Sequence, residues 1–197
     1  MVALEGDVID PSSSGAVGWL AVSASAAVMV TAAVSDLRFQ RIPNKLTYPA
    51  AVLGLLLHLV ADGWPGLKDS LLGLALGFGV LFLCYMFGGI GGGDVKLAGA
   101  LGALVGFEVC PLALLYMGLL GGAMALSIMI WKGKLLASLR RTGRFFLSAF
   151  VPFLEVEMPR VENSDVFPLG VAISAGFAWA MVEQGLLNAE PLLRISF

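Results

Sequence analysis

Apolar residues fill six long stretches of this sequence, and short polar segments separate them. Most stretches approach the roughly 20 apolar residues that a helix needs to cross the hydrocarbon core of a bilayer. The pattern predicts an all-α integral membrane protein, a bundle of about six transmembrane helices forming a single membrane-embedded domain over residues 1–197. The predicted spans are Gly15–Val34, Leu46–Ala61, Leu71–Phe87, Val95–Val109, Leu112–Trp131 and Val166–Leu187.

The composition supports this placement in lipid. Of the 197 residues 58% are hydrophobic and only 13% are charged, whereas about a quarter of the residues in a soluble domain are charged. Cys84 and Cys110 lie far apart in apolar segments, which argues against a disulfide framework or a thiolate zinc site. The first fourteen residues are acidic and contain no Lys or Arg, so the first apolar stretch is predicted to be a permanent span. We expect the protein to contact the lipid bilayer, and we expect no nucleic-acid partner.

The basic residues predict the orientation in the membrane. Cytoplasmic loops are enriched in Lys and Arg, and ten of the twelve basic residues fall on one predicted side: Arg38, Arg41, Lys45, Lys96, Lys132, Lys134, Arg140, Arg141, Arg144 and Arg160. The pattern predicts a multi-pass protein of the cytoplasmic (inner) membrane with both termini outside the cytoplasm. Residues 132–165 would form a cytoplasmic loop, and the apolar spacing over 134–150 predicts an amphipathic helix on the membrane surface between spans five and six.

Two aspartates are the strongest candidates for chemistry. Asp36 directly follows the first span and Asp94 directly precedes the fourth, so both are predicted at the cytoplasmic face. An embedded charge costs about 2.5 to 3.5 kcal/mol at a helix centre, and such residues mark functional sites by default. The alternative is that each carboxylate caps a helix or sits in headgroup water. The glycines before Asp94, including Gly91 and Gly93, would allow unusual backbone angles and a close approach of a ligand.

Three sequence blocks resemble those of the GxGD membrane aspartyl proteases, in the form found in type IV prepilin and preflagellin peptidases. The first is Asp36 with Ile42-Pro43-Asn44, the second is Gly91-x-Gly93-Asp94 followed by Lys96-Leu97, and the third is the segment from Phe167 to Ile173, which contains Pro168 and Gly170. The blocks occur in the family's order and cover nearly the whole chain. A lone GxGD would be a weak signal, and the three together are fairly specific.

The resemblance implies that Asp36 and Asp94 are the catalytic pair of an aspartic endopeptidase. Its substrates would be membrane-anchored prepilin-like or preflagellin-like precursors, cut behind a short basic leader at the cytoplasmic face. The long members of the family carry paired CxxC zinc ligands and are associated with N-methylation. Those motifs are missing here, so cleavage without methylation is expected. No metal and no cofactor would be needed.

A mechanism follows from chemistry common to paired carboxylates. Two adjacent carboxylates share one proton, so one can act as base towards water while the other hydrogen-bonds the scissile carbonyl. Gly91 and Gly93 would admit the substrate, whereas Pro43, Asn44, Pro168 and Gly170 would shape the turns beside the pair. Lys96 could favour an ionised carboxylate, contact the substrate or face the lipid headgroups.

Other functions fit parts of the pattern. A small ion- or proton-coupled transporter would use the aspartates as ion sites, but transporters often contain inverted repeats with sites near the bilayer midplane. A non-catalytic assembly subunit would use its glycine pairs, such as Gly73 with Gly77, only for helix packing. A presenilin-like protease shares GxGD but would have more spans and no need of the Ile42-Pro43-Asn44 block.

Overall fold

The computed structural model describes residues 16–86, 90–131, 133 and 168–189, and these residues are helical apart from short connections. The helices are α1 (Ala16–Phe39), α2 (Asn44–Met86), α3 (Gly92–Trp131) and α4 (Leu169–Ala189). The prediction of an all-α fold is confirmed for this part of the chain. The predicted amphipathic helix over 134–150 lies outside the described residues, as does the loop over 132–165 except for Gly133.

Three helices in the described part are long and apolar enough to cross a membrane, judged by length and composition: Val17–Phe39, Asn44–Met86 and Gly92–Trp131. The same residues thus form four helical elements where the pattern predicted six. The second predicted span falls within α2, as does the third as far as Met86, and the fourth and fifth fall within α3.

A glycine interrupts α2 and reverses the chain. Gly63 has φ 64° and ψ −134°, outside the helical region. His58 and Asp69 flank it, and their side chains approach to 3.9 Å between Nε2 and Oδ2. In a straight helix residues eleven apart lie about 16 Å apart along the axis. The two halves of α2 consequently lie side by side.

A second glycine interrupts α3. Gly106 has φ 80° and ψ 176°, a conformation that glycine adopts without steric cost. The Phe107 N–H that follows donates to Asp69 Oδ1 at 3.1 Å, so a carboxylate from α2 caps the continuing helix. Pro111 stands five residues after Gly106, close to the start of the continuing helix.

The chain divides into two compact units. The first comprises Met1–Leu120 and Pro168–Phe197, and the second comprises Gly121–Phe167. The described part of the second unit is the last turns of α3, in which the Ser127 hydroxyl donates to the Ala123 carbonyl at 2.8 Å, and a turn at Gly133. All the residues of the candidate site belong to the first unit.

The first half of α3 is the centre of the first unit. Leu97, Ala98, Leu101, Ala103 and Leu104 have no exposed surface, and a helix that is apolar all round belongs in such a position. Helices α1 and α2 contact one another, α4 contacts α1, and Gly54 of α2 backs onto the Ala103 carbonyl of α3. This packing fixes the start of α3, where Asp94 lies.

Glycines let α2 and α3 approach backbone to backbone. A Cβ on Gly73 or on Gly102 would collide with the other residue's carbonyl oxygen, and one on Gly77 would collide with that of Ala98. The predicted packing role is confirmed for these glycines. For Gly118 and Gly122, which have the same G-x-x-x-G spacing, no described residue lies within 4 Å of an added Cβ, so a packing role there stays a prediction.

Candidate active site

The end of α1 presents Asp36 from a fixed piece of backbone. The helix runs to Phe39, so Asp36 lies in its last turn rather than beyond it as the pattern predicted. Gln40 ends the helix with φ 50°, and its N–H still donates to the Asp36 carbonyl at 2.9 Å. The Ser35 hydroxyl donates to the Arg41 carbonyl at 2.8 Å and folds the next residues back towards the helix.

The Asp36 carboxylate meets the start of α4. The Gly170 N–H donates to its Oδ2 at 2.8 Å, and the Val171 N–H also donates to the carboxylate. Gly170 lies in the first turn of α4, where the helix supplies no carbonyl partner for its N–H, and the helix dipole favours an anion there. Asp36 is only 7% exposed. Part of the alternative prediction is therefore correct, because Asp36 does cap a helix, although one distant in sequence.

Asp94 lies in the first turn of α3, two residues after its beginning at Gly92. Its backbone N–H donates to the Gly91 carbonyl at 3.1 Å, and its carboxylate accepts a hydrogen bond from the Gly91 N–H. This backward bond resembles the acidic half of a capping box, in which the third helical residue satisfies the N–H of the cap. The carboxylate is half-buried and held at the helix start.

The two aspartates face each other closely enough to repel electrostatically. In the described part of the chain no Lys or Arg lies within 4 Å of either carboxylate to neutralise them. Like charges in such a place are relieved when the pair shares one proton. Two carboxylates that share a proton can supply one proton acceptor and one proton donor, the combination that general acid–base catalysis uses.

The glycines near the aspartates are required for space. A Cβ on Gly170 would lie 2.9 Å from Asp36 Oδ2, and one on Gly91 would lie 3.1 Å from Asp94 Oδ2. A Cβ on Gly93 would lie 3.3 Å from the Ile42 Cβ. The expectation of unusual backbone angles is not met at Gly91 or Gly93, since the described glycines with positive φ are Gly63, Gly106 and Gly133.

The remaining predicted residues make contacts of their own near the pair. Pro43 precedes α2, and its carbonyl accepts from the Leu46 N–H at 3.0 Å; the Pro168 carbonyl does the same for Val171 at 3.2 Å. Lys96 donates to Asn44 Oδ1 at 3.0 Å and lies 5.3 Å from the centre of the Tyr48 ring. The Lys96 ammonium therefore points towards the first turn of α2.

Sequence reasoning gave no separate role to four contributors, namely Ser35, Ile42, Tyr48 and Val171. Ile42 and Val171 lie in the sequence blocks that resemble the family, and Ser35 directly precedes Asp36, so their positions were a usable signal. Tyr48 is an aromatic residue near the start of the second predicted span and gave no further signal. Val171 acts through its backbone N–H, which residue type does not reveal.

A helical protein with membrane-length apolar segments and two carboxylates at helix ends, one buried and one half-buried, is a membrane protein with a candidate acid–base site. The model of the type IV leader peptidase family matches residues 23–126, more than half of the chain. The chain belongs to this family. The match includes Asp36, Asn44, Asp94 and Lys96 and ends before α4.

Curated relatives agree with this assignment. The chain is 38% identical over 101 residues to the prepilin leader peptidase/N-methyltransferase of Escherichia coli K12, covering 47% of this chain and 44% of the relative. The protein of the same name from Aeromonas hydrophila is 34% identical over 122 residues, which cover 57% of this chain and 42% of the relative. The one from Neisseria gonorrhoeae is 29% identical over 128 residues, which cover 59% of this chain and 44% of the relative. The chain thus spans less than half the length of these relatives. No solved structure matches.

Proposed function

We propose that this chain is an aspartic endopeptidase that removes the short basic leader from membrane-anchored, type IV prepilin-like precursors, such as Flp-type pilins, pseudopilins or preflagellins. Asp36 and Asp94 are its catalytic pair. The observation that carries the proposal is their juxtaposition, since residues 58 positions apart in the sequence bring two carboxylates within electrostatic range of one another, and no Lys or Arg among the described residues lies within 4 Å of either. Membership of the leader peptidase family supports the same reaction.

The reaction follows from the shared proton. The ionised carboxylate removes a proton from a water molecule as the water oxygen attacks the scissile carbonyl carbon, and the protonated carboxylate donates a hydrogen bond to the carbonyl oxygen. When the tetrahedral intermediate collapses, the carbon–nitrogen bond breaks and the amine leaves with a proton from the pair. The water is consumed, and the pair returns to its singly protonated state.

The other predicted residues act on geometry in this proposal. Gly91 and Gly170 leave room for the carboxylates, and Gly93 lets α3 approach the connection between α1 and α2. Pro43 and Pro168 directly precede α2 and α4, and their carbonyls accept hydrogen bonds from the first turns of these helices. The substrate leader must be extended at the scissile bond, because a helix occupies its carbonyls in its own hydrogen bonds.

The topology belongs to the same proposal. A straight helix of 43 residues would be about 65 Å long, twice the roughly 30 Å of a hydrocarbon core. We infer that the reversals at Gly63 and Gly106 divide α2 and α3 into two spans each, which gives six crossings of the inner membrane in one domain. Both termini would lie outside the cytoplasm. The basic residues Arg38, Arg41 and Lys45 favour the cytoplasmic face for the pair.

Cleavage without N-methylation is the last part of the proposal. It rests on the cysteines, because the two in this sequence, Cys84 and Cys110, do not form a CxxC pair. In this respect the chain would differ from its relatives, which are named as both leader peptidases and N-methyltransferases.

A reconstituted cleavage assay tests these points together. Purified protein in lipid vesicles is incubated with a prepilin-like substrate carrying a basic leader, and the product is identified by mass spectrometry. We expect cleavage behind the leader and an unmethylated new N-terminus, even with a methyl donor present. Intact substrate across several leader types would overturn the proposal, and ion flux in the same vesicles would then favour the transporter.

A further inference from the structure

The motif from Gly91 to Lys96 consists of two interleaved pairs, each spaced three residues apart. Residues three apart share one face of a helix, whereas residues two apart point in nearly opposite directions. Gly91 and Asp94 form one pair, joined by the hydrogen bond from the Gly91 N–H to the carboxylate. Gly93 and Lys96 form the other: Gly93 faces Ile42 in the connection between α1 and α2, and Lys96 contacts the first turn of α2.

The second pair fastens the start of α3 at two points. Gly93 allows contact with Ile42, and Lys96 reaches Asn44 and Tyr48 one turn apart on α2. The ammonium donates to the Asn44 side chain at 3.0 Å and lies 5.3 Å from the Tyr48 ring centre, within the range of a cation–π interaction. These contacts hold the start of α3 against residues 42–48, which follow the end of α1 and thus lie close to Asp36 in the sequence.

Building on the proposed function, we propose that Lys96 is a positioning residue of the peptidase. Its bridge to Asn44 and Tyr48 fixes the first turn of α3 against the connection between α1 and α2, and thereby sets the distance between the two carboxylates. Lys96 touches neither the substrate nor the carboxylates. Its positive charge serves to hold two polar partners on α2.

The test compares variants of Lys96 by their kinetic constants in the reconstituted cleavage assay. Lys96→Met keeps the length of the side chain and removes its donors and charge. A displacement near 1 Å at a catalytic group costs about 100-fold in rate, so we expect kcat to fall at least about 10-fold while KM stays within about twofold. Lys96→Arg, which can donate to Asn44 and stack on Tyr48, should restore most of the rate.

Asn44 supplies the second arm. Asn44→Ala should lower kcat in the same way, and combining it with Lys96→Met should produce no further loss, because both substitutions remove one contact. The matched control is Lys45→Met, which removes an exposed positive charge beside Asn44 and should leave both constants unchanged. Thermal unfolding midpoints identify any variant that fails to fold.

Three results would overturn the inference. Lys96→Met with unchanged kcat would show that the bridge has no effect on the pair. A raised KM with unchanged kcat would make Lys96 a substrate contact, and additive losses in the double variant would separate Lys96 from Asn44. Each result presupposes cleavage by the wild type, so a failure of the proposed function is recognised separately.

Discussion

Two polar clusters in this molecule use a carboxylate in the same way but differ in what faces it. Asp69 accepts the Phe107 N–H at the reversal in α3, and Asp36 accepts the Gly170 N–H at the start of α4. Opposite Asp69 stands His58, whose Nδ1 lies 3.0 Å from the Gly54 carbonyl. Opposite Asp36 stands a second carboxylate, Asp94.

The comparison shows that capping alone does not make a site. Asp69 accepts a helix N–H and lies 3.9 Å from the His58 imidazole, so its environment is explained by the chain reversals in α2 and α3. The Asp36–Asp94 pair brings like charges together at a cost to folding. A costly arrangement of this kind is typical of functional sites. The aspartates should therefore respond differently to substitution.

The largest effect is expected at the pair. Asp36→Asn or Asp94→Asn removes the proton-exchanging group and keeps its size, so kcat should fall about 10²- to 10⁴-fold in the cleavage assay. The unfolding midpoint should change little or rise, since the repulsion is removed. Asp69→Asn is the matched control and should cleave at the wild-type rate. Equal losses at all three positions would remove the distinction between the clusters.

A smaller loss is expected from Gly170→Ala. The new Cβ would lie 2.9 Å from Asp36 Oδ2 and 3.0 Å from its Cγ, so the carboxylate must move. We expect kcat/KM to fall about 100-fold, as for misplacements near 1 Å. Gly185→Ala on the same helix is the control, because a Cβ there meets nothing within 4 Å. Full activity of Gly170→Ala would mean that Asp36 can leave α4 without consequence.

At the other cluster the effect should appear in stability. Asp69→Ala removes the cap on Phe107 and the partner of His58, which we expect to cost about 1–2 kcal/mol of stability. Chemical or thermal unfolding in detergent measures the change, with cleavage in the same detergent as the functional readout. Loss of cleavage by a protein that remains folded would assign this cluster a role in the reaction.

The smallest effect is expected for Ser70→Ala. The Ser70 hydroxyl is fully buried and donates to the Ala103 carbonyl at 2.7 Å. Deleting one such bond costs about 1 kcal/mol, and kcat should not change. Unfolding of this variant beside the wild type measures the loss. A change in kcat would show that the contact between α2 and α3 reaches the pair.

The sequence was sufficient to predict the helices and the two aspartates. Long apolar stretches identify helices because lipid requires every backbone group to be bonded within the segment. Helix ends were less accessible: α1 continues to Phe39, five residues beyond the predicted span. Gly63 lies between the second and third predicted spans, and Gly106 lies three residues before the end of the fourth. Asp62, Lys68 and Asp69 mark the first interruption in the hydropathy, whereas Val105 and Phe107 adjoin Gly106 and leave a weaker signal there.

The arrangement of the site was only partly predictable. The spacing of Gly93 and Lys96 indicates that they share a helix face, but their partners Ile42 and Asn44 are known only once the helices are packed. The same holds for the backbone amides of Gly170 and Val171, which reach Asp36 across 134 residues or more. A side-chain pattern carries no signal for a backbone donor.

The central claim is that Asp36 and Asp94 act as one catalytic unit, and a double-variant cycle tests it most directly. Initial cleavage rates are measured for the wild type, Asp36→Asn, Asp94→Asn and the combined variant in the same vesicles. When two groups act as one unit, replacing either removes their joint contribution to the rate, and replacing the second costs little more. The account therefore predicts that the combined variant is no slower than the slower single variant. Losses that multiply, or a single variant that retains the wild-type rate, would contradict it.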